Sequence, residues 1–149
     1  MEVDKLHKEF FKLLERLDKG DWKLKVNENW TIKDVVAHLV GWEREDARTL
    51  YKLYKTRKRA WWSHTNNFDD FNKKSVKRYK TYSNSALIKE WKHQYKIVKR
   101  EMKRIGITDL KADSKRFGWL FDGTDANHIF GHYKQIQKVL SNNSKYSSR

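Results

Sequence analysis

The 149-residue chain carries 34 lysines and arginines against 19 aspartates and glutamates, a formal net charge of +15, with no cysteine and no proline. That length suits one domain with a real core. Without cysteine, disulfides and thiolate metal sites are excluded, and any metal chemistry falls to His, Asp and Glu. Seven Trp, seven Tyr and seven Phe argue against disorder and for a packed interior with ring-lined space. No apolar run is long enough for a membrane span.

The opening stretch is amphipathic and punctuated by charge, which predicts a helix of the fold rather than a secretory leader, and a cytoplasmic location. Val3, Leu6, Phe10, Leu13, Leu14 and Leu17 recur at helical spacing, and Gly20 follows as a stop. A linker, "DWKLKVNENW", leads to a second helix opening at Thr31, with Asp34 three residues on as in a capping box. Ile32, Val35, Val36, Leu39 and Val40 form its apolar face, and the pattern extends as far as Lys58.

Residues 59–84 read as loop in "AWWSHTNN", a short helix in "FDDFNKKSVKRYK" and a turn in "TYSNS". About 25 residues between two long helices is too much for a tight hairpin, so a crossover is expected. A third helix begins near Ser85. Its stripe is Leu87, Trp91, Gln94 or Tyr95, Val98, Met102 and Ile105, lysines take the other side, and Gly106 closes it. The fourth is capped by Thr124 or Asp125 and turns Ile129, Tyr133, Ile136 and Leu140 inward. The expectation is an all-α four-helix bundle over residues 1–140, with a long crossover between helices two and three and a polar, disordered tail at 141–149.

His128 and His132 are four residues apart, so both imidazoles can reach one ion. The pair alone is weak: with six histidines, a His-x3-His spacing arises by composition in roughly one such chain in five. No Glu lies between them as in H-E-x-x-H. His38 on helix two lies, like them, where the apolar face meets the polar one. Three histidines from two helices, with positions left for water or substrate, suit Zn2+ and related ions. His7 and His93 lack partners at helical spacing, and His64 falls in a loop. Glu43, Glu45 and Asp34 lie near His38 in sequence and are expected to be solvated, so no general acid or base is assigned.

The segments "WTIKDVVAHLVGWE", "DDFNKKSV" and "HIFGHYKQI" resemble the DinB/YfiT-like superfamily of small four-helix proteins from Trp30 to Leu140. His38, His128 and His132 match that group's three histidine positions in order and approximate spacing. The resemblance implies an up-down-down-up bundle, a divalent metal (nickel or zinc) and, for some members, transferases or isomerases using a low-molecular-weight thiol such as mycothiol or bacillithiol. The expected function is thus a metal-dependent transferase or hydrolase acting on a small electrophilic or toxic compound.

"AHLVGWE", "DDFNKKSV" and "GHY" are also similar to the ClbS/DfsB-like branch. That likeness implies a metal-free protective hydrolase or binding protein, with Trp42, Asn72 and Tyr133 as pocket residues. Nucleic-acid binding is a further alternative. "KTRKR" at 55–59, "KKSVKRYK" at 73–80 and the lysine face of helix three supply phosphate-contacting charge. No helix-turn-helix, RRM or zinc-finger pattern accompanies them, and a solvated helix face accounts for the lysines. A homodimer suits a bundle of this size, although no interface is legible.

Overall fold

The computed structural model describes residues 2–65 and 67–143. It is all-α, with the long helices α1 (Val3–Glu15), α3 (Ile32–Leu53), α5 (Asn84–Ile105) and α8 (Thr124–Asn142) around one core. The short α2 (Lys19–Trp22) links the first two, and α4 (Asp69–Tyr79) lies in the crossover between α3 and α5. Between α5 and α8, a stretch left unassigned above, come α6 (Ile107–Ala112), α7 (Ser114–Phe117) and a 3-10 turn at Gly118–Leu120. No described helix is long and apolar enough to cross a membrane.

Residue pairings fix the directions. Along α3 and α5, Lys33 Nζ donates to the Tyr82 carbonyl, Trp91 Nε1 to Glu43 Oε1 and, just beyond both helices, the Tyr54 hydroxyl to Asp109 Oδ2. The numbers rise together, so these helices are parallel. In α1, His7 meets Glu43 while the segment after α2 meets the start of α3, where Ile32 N–H donates to the Leu24 carbonyl. Hence α1 runs against α3. α8 also runs against it, with Asp125 beside Asp46 and His128 beside His38. The result is the up-down-down-up order, and two parallel neighbours are why a long crossover is needed.

Local chemistry explains most of the boundaries. Thr31 Oγ1 accepts from Asp34 N–H and the Asp34 carboxylate accepts from Thr31 N–H, the expected capping box. Asp18 and Asp21 cap α2 in the same reciprocal way. In α5, Tyr95 rather than Gln94 belongs to the buried stripe, together with Leu87, Trp91, Val98 and Ile105, whereas Met102 is half-buried.

Three expectations need correction. α3 stops at Leu53 rather than reaching Lys58, where Arg57 turns to φ 59°, and Arg116 of α7 takes the carbonyls at and beyond its end. The guanidinium donates to the Leu53 oxygen at 2.7 Å, the Lys58 oxygen at 3.2 Å and the Tyr54 oxygen at 3.4 Å. α8 is entered through Gly123, at φ 92°, which no side chain with a Cβ adopts cheaply. Thr124 and Asp125 therefore lie inside its first turn instead of capping it. α8 also runs on to Asn142, past the expected boundary at 140, and residues 144–149 of the expected tail lie outside the described residues.

α4 crosses α3 at Gly41. A Cβ there would sit 2.2 Å from Ser75 Oγ and 2.4 Å from its Cβ, so the two backbones approach as only glycine permits. That approach brings α4 over the site half of α3.

Candidate metal centre

α3 presents His38, Trp42 and Asp46, spaced by four along one face, to a cavity of about 340 Å3. α8 supplies Thr124, Asp125 and His128. Phe68 and Asn72, at and inside the start of α4, close one side, with Trp62 from the 3-10 turn at Trp61–His64 and Trp119 from the turn before α8. The rings support one another. Trp42 packs against Phe68, Phe71 and Trp62, and Trp62 meets Trp119 edge-on at 5.3 Å. The volume suits a small ligand, and the apolar wall would exclude water around it.

His38 and His128, which line the cavity, converge with His132, one ring nitrogen from each lying within 4.8 Å of the others. His38 Nε2 and His128 Nε2 are 3.0 Å apart, and the ring centroids of the three lie 4.9–5.1 Å from one another. Nitrogen ligands at about 2.0–2.1 Å from a tetrahedral ion stand roughly 3.3–3.4 Å from each other, so the His38 and His128 nitrogens, 3.0 Å apart, would open by a few tenths of an ångström around an ion.

The protonation states fit as well. Burial, then the neighbouring His128 and His132 rings, hold His38 down at about 3, with Asn72 opposing weakly. Burial and His132 bring His128 to about 4, and burial lowers His132. All three are therefore neutral near pH 7 with lone pairs to offer. His132 Nδ1–H donates to Gln135 Oε1 at 3.0 Å, leaving Nε2 as the free nitrogen. His38 Nδ1 is buried without a hydrogen-bond partner among the described residues. A neutral all-imidazole set favours zinc, nickel or cobalt over the oxygen-seeking magnesium and calcium.

Of the residues expected to form a pocket, Trp42 and Asn72 lie together in this one, Trp42 Nε1 donating to Asn72 Oδ1 at 2.9 Å. Tyr133 does not. One residue past His132, its side chain is turned by about 100°, and its ring packs against Phe10 of α1 at 5.2 Å, outside the cavity. His93 is exposed.

The expectation that carboxylates near His38 are solvated is wrong for Glu43, which is 4% exposed. Its Oε1 accepts from Trp91 Nε1 at 3.1 Å and meets His7 Nε2 at 2.5 Å. His7, without a partner at helical spacing, finds its partners across the fold: it is fully buried and stacks on Tyr95 with centroids 3.6 Å apart. Asp34 is occupied as a cap, and Glu45 Oε1 accepts from Trp61 Nε1.

Asp46 and Asp125 are the site residues that the sequence reading missed. Their carboxyl groups are in hydrogen-bonding contact, and both line the cavity. Burial, then Asp125, Glu43 and Glu45, push Asp46 well above the usual carboxylate range. Burial and Glu43 raise Asp125 to about 7, against the pull of His7. The signal was present: 38, 42 and 46 share one helix face, as do 125, 128 and 132.

Residues 3–117 match the family model of the mycothiol maleylpyruvate isomerase N-terminal domain, a stretch that includes His38 but ends before His128 and His132. No curated protein and no solved structure gives a significant match. The matched stretch spans most of the chain, which therefore belongs to the mycothiol maleylpyruvate isomerase N-terminal domain family, a member of the DinB/YfiT-like superfamily of four-helix proteins.

Proposed function

We propose that the protein is a metal-dependent enzyme that adds a thiol or water to a small electrophilic, toxic compound. One observation carries this reading: three neutral imidazoles from two helices converge beside an aromatic cavity. His38, His128 and His132 would hold a nickel or zinc ion. Bound there, such an ion would lower the pKa of a thiol or water beside it and so supply a nucleophile at neutral pH. The rings of Trp42, Trp62, Phe68 and Trp119 orient the apolar body of the substrate and exclude bulk water. Gln135 fixes the His132 tautomer, and Asn72, held by Trp42, offers its amide N–H to the substrate. The family's connection with mycothiol supports a low-molecular-weight thiol as co-substrate.

Metal analysis of tag-free protein tests the proposal. About one nickel or zinc ion per chain is expected, with uptake lost in His38→Ala and His132→Ala. Because the ion would tie α3 to α8, saturating metal should also raise stability, by about 2.7 kcal/mol at a hundredfold excess over Kd. Protein that neither carries nor takes up either ion would sink the reading in favour of the metal-free ClbS/DfsB-like alternative.

A further inference from the structure

The metal reading leaves the reaction without an acid or base, and the cavity contains a pair of groups placed for that work. Asp46 of α3 is 7% exposed and faces Asp125 of α8 across the antiparallel helix pair, the two carboxyls in hydrogen-bonding contact at the cavity wall. Among the described residues, no lysine or arginine lines this cavity, although the chain has 34 of them. The nearby cation, His7 of α1, is already committed to Glu43 of α3. The remaining ionisable groups acting on the pair are Glu43 and Glu45 of α3, which repel negative charge, and Tyr95 of α5, which hydrogen-bonds Asp4. Two carboxylates in contact with no free counter-charge cannot both be ionised.

We propose that Asp46 and Asp125 share a single proton and present it to the cavity as the acid–base pair of the reaction. Its catalytic use rests on the function proposed above, but the shared proton does not. A nucleophile Nu–H, water or thiol, attacks the electrophilic atom of a substrate E–L. The Nu–E bond forms and the E–L bond breaks, its electron pair leaving with L. The neutral carboxyl gives L its proton, and the carboxylate half of the pair takes the proton of Nu–H. The sum is Nu–H + E–L → Nu–E + L–H, and the pair ends with one proton, as it began. A substrate whose leaving atom must be protonated fits this site, and an anionic headgroup beside the pair does not.

Infrared spectroscopy of the full chain, metal-free and after zinc addition, is the test. The wild type is expected to show the carbonyl stretch of one neutral carboxylic acid near neutral pH. That band should grow as pH falls below about 7, where Asp125 takes a second proton. Above that pH it should persist, because burial and the Asp125 carboxyl hold Asp46 well above the usual carboxylate range. It should also shift within mixing time in D2O, as access from the cavity requires. Asp46→Asn and Asp125→Asn, near-isosteric changes checked for folding by circular dichroism, should each remove the band while metal uptake stays unchanged.

The absence of a neutral-acid band in the wild type would overturn the proposal without needing any variant. So would a band that survives both substitutions, or one that fails to exchange. A band present in protein that takes up no metal would defeat the metal reading and leave the shared proton standing. Metal uptake without the band would do the reverse.

Discussion

Glu43 and His7 are separated by 36 residues and 2.5 Å, and their environment decides how each behaves. Burial works against the His7 imidazolium, but Glu43, joined by the Val3 carbonyl, outweighs it and raises the pKa above 6.5. A raised folded pKa means that this contribution to stability is complete below pH ~6.5 and fades as pH climbs through the folded value. An NMR titration of the His7 ring should therefore place its midpoint above that of a free imidazole. A midpoint below it would mean that desolvation wins. Removing one partner leaves a buried charge unmatched, so His7→Ala should destabilise by about 3–5 kcal/mol in urea unfolding below pH ~6.5. A loss under 1 kcal/mol would show that water reaches Glu43.

At the scale of elements, the site depends on how closely α4 approaches α3. Ser75 packs onto Gly41, and one turn towards the start of α4 Asn72 takes the Trp42 indole N–H. Gly41→Ala places a methyl group where Ser75 now sits. Overpacking of this kind costs about 1–3 kcal/mol, readable as a lower denaturation midpoint. It should also push Asn72 and Phe68 outward and change Trp42 fluorescence. Gly41→Ala paired with Ser75→Gly should recover most of the loss. An unaffected single variant would mean that the helices slide apart freely. The end of α3 shows a second inter-element dependence, since its carbonyls are taken by Arg116 from a segment about sixty residues away.

Across the whole molecule, the +15 charge is spread over solvated faces while the cavity is lined by carboxyls and rings. Lys89, Lys92, Lys96, Lys99, Arg100 and Lys103 are exposed along α5. Lys92 pairs with Glu15 and Lys99 with Asp4, ties between α5 and α1. Any affinity for duplex DNA should be non-specific and vanish between low and physiological salt. Binding measured against ionic strength checks this, and tight, sequence-dependent binding at physiological salt would restore the nucleic-acid reading.

The sequence by itself determined the four long helices, because apolar spacing, the Thr31–Asp34 capping box and Gly106 are encoded within single segments. It also placed His38 and the His128/His132 pair on the correct helices, since a spacing of four is local information. Only the tertiary structure decided which helix faces meet. The antiparallel packing of α3 and α8 joins the three imidazoles and sets Asp46 against Asp125. Helix register likewise turned Tyr133 away from the cavity and onto Phe10. Burial, which exists only once the helices have packed, turned Glu43, which reads as solvated, into half of a buried ion pair and set the buried Asp46 against the half-buried Asp125. Helical periodicity fixes the face on which a side chain lies, whereas its charge state depends on what that face packs against.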